Sequence, residues 1–240
     1  MDYTTLMMTC RRCDECPLHE TRKRVVFHRG NSDTDVMYIG GAPTEEDEQN
    51  GECFSGKDGQ LLQRAMDSLG IETGDVLMTN ILKCRPPGGA FPGDKKSKFE
   101  ADPTAGHCSR TWLDEQVEAV SPKAMVLFGP AAAQWALYRG RDDMPKRFGD
   151  VVSRCYQRKD LWPGVKRIYV TWHPSHLLRG APGVNNQLDS VMGAISKAKD
   201  YADALRANKK GPTGKTIVPK QVVTVITKPS APMIGSSCDQ

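Results

Sequence analysis

The chain has no long apolar run. None of its 240 residues belongs to a segment long enough to cross a bilayer, and the opening Met1-Asp2-Tyr3-Thr4-Thr5-Leu6-Met7-Met8 lacks the apolar core of a secretory leader. A membrane span is excluded, and a cytoplasmic, reducing location is the expectation. No internal repeat of fixed period is present, which excludes a solenoid or a propeller. Charge of one sign is also scarce. With 33 Lys and Arg against 29 Asp and Glu the net charge is +4, which suits an anionic partner without demanding one. What the chain does have is eight cysteines. In a reducing compartment these are thiols rather than disulfides, and several are expected to bind metal.

The length allows one α/β domain, expected over 1–208, followed by a tail, 209–240. Four apolar runs bounded by turn residues, 36–40, 76–81, 124–129 and 167–172, read as buried parallel strands. Helices are expected over Gln60–Leu69, Ser109–Val120, Ala131–Tyr138 and Asn186–Ala207. Strands alternating with helices imply right-handed crossovers and a three-layer α/β/α fold around a central, mostly parallel four-stranded sheet. In such a sheet the ligand crevice lies outside the carboxyl ends of the strands. Those ends carry Gly40-Gly41-Ala42-Pro43, Asn80, Gly129-Pro130 and His173-Pro174, so the unusual side chains gather along one edge. The segment Gly88–Gly106, rich in Gly, Pro, Lys and Asp, reads as a surface insertion. The tail, with one β-prone run from Val222 to Ile226, reads as flexible or as a segment that docks on a protein partner.

Cys10, Cys13 and Cys16 form two overlapping C-x-x-C pairs, a spacing that converges two thiolates on one metal. Cys84 directly follows the second strand and Cys108 opens a helix, so a four-thiolate site could join the N-terminal segment to the sheet. Zinc and an iron–sulfur cluster satisfy this spacing equally. Cys53, Cys155 and Cys238 read as incidental thiols.

Four motifs in order resemble those of the family 4, iron–sulfur, uracil-DNA glycosylases, over about residues 10–205. Cys13-Asp14-Glu15-Cys16-Pro17-Leu18 with Arg22 is similar to the family's C-x-x-C-x-L…R segment, which selects Cys13 and Cys16 over Cys10. The stretch from Gly40 to Gly56 lies without a gap on G-E-A-P-G-x-x-E-D-x-x-G-x-P-F-V-G. Asn80-Ile81-Leu82-Lys83-Cys84-Arg85-Pro86-Pro87 resembles N-x-x-K-C-R-P-P, and Thr171-Trp172-His173-Pro174-Ser175-His176-Leu177-Leu178-Arg179 resembles T-x-H-P-S-x-L-L-R.

The resemblance implies a [4Fe-4S] cluster on Cys13, Cys16, Cys84 and Cys108, and a monomeric enzyme that excises uracil or a modified pyrimidine from DNA. Such an enzyme turns the nucleotide out of the stack into a closed pocket. Phe54 would stack on the base, Asn80 would read its O4/N3 edge, and Gly41 and Ala42 would line the pocket. His173 would stabilise the charge that grows on the departing base. Ser175, Leu177, Leu178 and Arg179 would meet DNA, the leucines as wedges and the basic stretch Arg139–Arg179 facing phosphates. Two departures matter. Gly41 stands where the family has Glu and Thr44 where it has Gly, so Asp47 is the expected substitute carboxylate. The competing reading is a DNA-binding relative of weak or no activity, acting in replication or defence.

Overall fold

The computed structural model describes residues 1–89, 91, 103–139, 143, 145–179, 183–209 and 224–225. Most of the 88–106 insertion and of the 209–240 tail lies outside the described residues. In chain order come helix α1 (Tyr3–Cys10), a turn of helix α2 (Leu18–Thr21), strands β1 (Arg29–Gly30) and β2 (Val36–Gly40), helices α3 (Glu45–Asn50) and α4 (Lys57–Ser68), and strand β3 (Leu77–Asn80). They are followed by helices α5 (Pro103–Cys108) and α6 (Asp114–Val120), strand β4 (Ala124–Phe128), helix α7 (Gly129–Leu137) and strands β5 (Cys155–Gln157) and β6 (Arg167–Thr171). Helices α8 (Pro174–Leu177) and α9 (Val184–Lys209) and strand β7 (Thr224–Val225) complete the order. No helix among the described residues is long and apolar enough to cross a membrane.

The strands form one sheet in the order β1-β3-β2-β4-β6-β5-β7. Its middle, β3-β2-β4-β6, is parallel throughout, and these are the four apolar runs of the sequence. The edges correct the four-stranded expectation. β1 pairs antiparallel with β3, β5 pairs antiparallel with β6, and β7 runs parallel to β5. Strands of two and three residues, as β1 and β5 are, are too short to carry a readable alternation.

Alternation in the long strands builds two cores. Met37, Ile39, Met125, Leu127, Ile168 and Val170 face one side, with Val117 of α6 and Trp135 of α7. Val36, Tyr38, Val126 and Tyr169 face the other, with Leu62 and Met66 of α4 and Val191 and Ile195 of α9. The fold is therefore helix, sheet, helix. Each such side chain contributes about 1.5–3 kcal/mol by leaving water, and a one-residue slip would turn every one of them to the wrong face. Register is thus tightly held, and register places the strand ends. Gly40 sits opposite Asn80, and Phe128 sits opposite Thr171. Beyond the strands, Ile81 N donates to Gly40 O (3.1 Å) and Leu82 N to Gly41 O (3.0 Å), so both loops leave the sheet still joined.

Candidate active site

Gly40 marks the point where the expected residues meet. A methyl group added there would collide with Asn80 Oδ1, come within 2.8 Å of Phe54 Cζ, and lie 3.5 Å from His173 Nε2. Three side chains from three separate segments therefore converge on a backbone that only glycine permits. The Gly40-Gly41 doublet was the signal for this, although Gly41 drew the attention that Gly40 merits.

His173 caps the turn of helix α8. The Ser175 backbone N–H donates to His173 Nδ1 (3.2 Å), and the Ser175 hydroxyl lies 2.9 Å from the same nitrogen. An Nδ1 that accepts from a backbone amide carries no proton, so the neutral ring holds its proton on Nε2, the atom facing Gly40. Burial, helped by the Arg179 guanidinium, pushes the His173 pKa down to about 4. At neutral pH the site thus presents an uncharged donor. Ser175, expected to meet DNA, holds this tautomer in place.

Phe54 is buried and adopts φ 54°, the left-handed region that an aromatic residue avoids. Its ring stacks on His173 with centroids 5.8 Å apart and planes at 26°. Two contacts hold the strained backbone. Arg29 Nη1 donates to Phe54 O (2.8 Å), and Gly59 of α4 packs so closely on that carbonyl that any side chain at 59 would overlap it. Strain maintained from both sides is a mark of functional placement. Asn80 is buried, and its side chain and backbone both hydrogen-bond the Cys53 thiol, whose pKa burial pushes up to about 12. Cys53 is thus not incidental, because it fixes how Asn80 presents its amide.

Asp47 is occupied otherwise than expected. One carboxylate oxygen accepts from Thr44 N (2.9 Å) and the other from Ser55 N (2.6 Å) and Ser55 Oγ (3.1 Å). Thr44 Oγ1 returns the first bond by accepting from Asp47 N, a capping box that starts α3. Asp47 is also 2% exposed, so it braces the loop that carries Phe54. The T-x-x-D spacing is itself a capping signature, and it could have revealed this role.

Nor does Gly41 leave an empty space. A side-chain carbon there would meet Phe91 Cδ2 at 3.3 Å and Ala131 Cβ at 3.8 Å. A ring from the insertion covers the position, against the first turn of α7. Half-buried Ala42 lies beside it at the edge of the core.

On the adjoining loop, Leu178 is 50% exposed while Leu177 is 6% exposed and belongs to the core under α4 and α9. One wedge is available, not two. Arg179 is exposed. Other basic residues of the 139–179 stretch have internal partners. Arg139 pairs with Asp114 at 2.6 and 2.8 Å, Arg158 binds the Ala136 and Leu137 carbonyls, and Arg167 lies over Tyr201. Trp172 and His176 stack at 4.9 Å beside the site.

Behind the pocket the cysteines gather. Cys84 feels Cys16 and Cys13, and Cys108 feels Cys84 and Cys16, with burial raising both thiol pKa values, that of Cys108 to about 12. The buried Cys10 adjoins the same group. Arg22 Nη1 lies 3.5 Å from Cys84 Sγ, and the Lys83 backbone hydrogen-bonds Cys108. Such cations and N–H donors favour thiolate over thiol. Tetrahedral zinc sets its sulfurs about 3.8 Å apart, given bonds of about 2.3 Å. Among the described residues no three cysteine sulfurs lie within 4.8 Å of one another. The one group that does is Cys13 with Glu15 and His107. The spacing suits a larger group than a single ion.

The sequence matches the family model described as the uracil DNA glycosylase superfamily over residues 27–193. It is 34% identical over 179 residues to the type-4 uracil-DNA glycosylase of Pyrobaculum aerophilum, covering 75% of this chain and 86% of that protein. The corresponding proteins of Thermotoga maritima and Archaeoglobus fulgidus are 31% and 30% identical over 191 and 177 residues. These matches cover 80% and 74% of this chain, and 90% and 82% of those proteins.

Proposed function

The chain belongs to the uracil-DNA glycosylase superfamily, and from that premise we propose that it is a hydrolase excising uracil from DNA without cutting the strand. The observation that carries this reading is the convergence of Asn80, Phe54 and His173 on Gly40. A base turned out of the stack would lie against Phe54, a contact worth about 1–3 kcal/mol. Asn80 would offer Oδ1 to N3–H and an amide hydrogen to O4, a pairing that cytosine cannot match. As the N-glycosidic bond breaks, its electron pair moves onto the base and negative charge grows on O2. The His173 Nε2–H would hydrogen-bond that oxygen, and one such positioned donor supplies about 2.7–4 kcal/mol. Water adds at C1′ and leaves an abasic sugar. Asp47 acts as a positioning residue for Phe54, while Leu178 and Arg179 meet the opened duplex. A [4Fe-4S] cluster on Cys13, Cys16, Cys84 and Cys108 would crosslink the N-terminal segment to the sheet. Residues 1–208 form the catalytic unit and 209–240 a tail outside it, in a monomeric protein.

A non-excising DNA-binding relative is favoured by one feature, the apolar closure of position 41 by Phe91. Incubating the protein and its His173→Ala variant with single- and double-stranded oligonucleotides containing uracil, then treating with alkali, separates the two readings. Strand breaks at uracil that His173→Ala reduces by roughly 100- to 1000-fold support the enzyme. Tight binding by both proteins with no alkali-labile site supports the alternative.

A further inference from the structure

Lys83 lies between the base-reading residue and a metal-binding cysteine in sequence, and between the pocket and the cysteines in space. It is 1% exposed. Its Nζ lies 2.7 Å from Thr79 Oγ1, 2.8 Å from Asn80 O and 2.6 Å from Gln116 Oε1, and 5.3 Å from the centroid of Phe27. Thr79 has a single hydroxyl proton, which goes to Phe27 O (2.8 Å) or Gln116 Oε1 (2.9 Å). Gln116 Nε2 donates to Tyr3 Oη (2.9 Å), which turns Oε1 towards the lysine. All three neighbours of Nζ are therefore acceptors, and three acceptors call for the three donors of an ammonium.

Every one of those acceptors is neutral. Lys83 forms no ion pair among the described residues, and a buried ammonium without a counter-charge costs several kcal/mol. The nearby groups able to carry negative charge are thiols. Cys108 takes a hydrogen bond from the Lys83 backbone, and Cys84 is the next residue in the chain. An iron–sulfur cluster held by four thiolates carries net negative charge, which a neighbouring cation stabilises.

We propose that Lys83 is a positioning residue whose ammonium is the buried counter-charge of the metal-bound thiolates and at the same time fixes Asn80 at the base-reading end of β3. The inference rests on the cluster proposed above. It makes the motif a single device, in which Asn80 reads the base, Lys83 grips the Asn80 carbonyl, and Cys84 binds the metal one residue on.

The test compares Lys83→Met and Gln116→Glu with the wild type, each as the metal-loaded full chain. Lys83→Met removes the charge and keeps the length. Gln116→Glu leaves the lysine in place and gives it a carboxylate partner at the 2.6 Å contact, drawing its charge away from the cysteines. Both variants are expected to show a more negative cluster reduction potential, because a lost or neutralised cation disfavours an added electron. Bleaching of the absorption near 400 nm by a chelator should run severalfold faster in Lys83→Met. Only Lys83→Met should also raise KM for uracil-containing DNA, by roughly tenfold, because Gln116→Glu leaves the bond to Asn80 intact. Unchanged potential in both variants overturns the inference while leaving the cluster standing. A wild-type protein without iron and sulfide overturns both. Should Lys83→Met fail to fold, the potential of Gln116→Glu decides alone.

Discussion

A histidine that offers one fixed donor must be neutral and must hold a single tautomer, and Ser175 imposes both conditions on His173 from two residues away. With a folded pKa of about 4, ionisation of His173 leaves excision flat from pH 8 down to pH 5. Activity is then lost as pH falls through about 4, where a proton enters Nδ1 and breaks the Ser175 bond. The sign for stability is the same. The unfolded chain binds this proton below its ordinary value of 6.5, so stability falls with pH across the window from 6.5 to about 4. A pH profile of kcat set beside one of Tm checks both. Gly41 invites the opposite of a simple repair. Glutamate introduced there must displace Phe91, 3.3 Å from the new carbon, so Gly41→Glu alone lowers uracil excision. Gly41→Glu with Phe91→Ala exceeds Phe91→Ala by roughly tenfold or more, the scale of one positioned catalytic group. Equal rates for these two would show that no side chain at 41 reaches the sugar. Gly40, Phe54, Asn80 and His173 were legible at this scale because each sits in a motif whose spacing fixes its place. Asp47 was not, because a capping carboxylate and a catalytic one share the same letter.

Among the elements, the four central strands were legible because each is a short apolar run closed by turn residues, and burial on both faces gives a parallel strand that signature. Strands β1 and β5 were not, since two or three residues show no alternation. The loop after β6 was read correctly as the DNA-facing loop in outline and wrongly in detail. Two adjacent leucines in a turn of helix point about 100° apart, so one enters the core and the other faces out. Leu177→Ala should therefore destabilise the fold by about 2–5 kcal/mol with little effect on excision per folded molecule. Leu178→Ala should leave the melting temperature alone and lower kcat/KM on duplex DNA more than on single strands, because only the duplex needs its vacated stack filled. Melting curves and paired kinetics distinguish the two. A π-helical turn, Ser109–Leu113, directly follows Cys108. Such insertions occur often at functional sites, and this one leads into α6, which carries Gln116 to Lys83.

For the whole molecule, the proposed metal ligands come from the segment after α1, the loop after β3 and the end of α5. A cluster there closes long loops, and closing long loops is how a crosslink stabilises a chain. Cys84→Ala should therefore yield a colourless protein that melts several degrees lower, and circular dichroism after iron removal from the wild type should reproduce that shift. The length and the order of motifs made this organisation readable. The packing of Phe91 against Gly41 was not, because it joins residues fifty positions apart through an insertion without periodicity. The central claim is that this chain removes a base and leaves the strand intact. The mass of a uracil-containing oligonucleotide after incubation, taken before any alkali, tests it most directly. The account predicts a full-length product lighter by uracil and heavier by one water, with free uracil in the supernatant. An unchanged mass in both single- and double-stranded contexts would contradict it, and a strand already broken would contradict the mechanism.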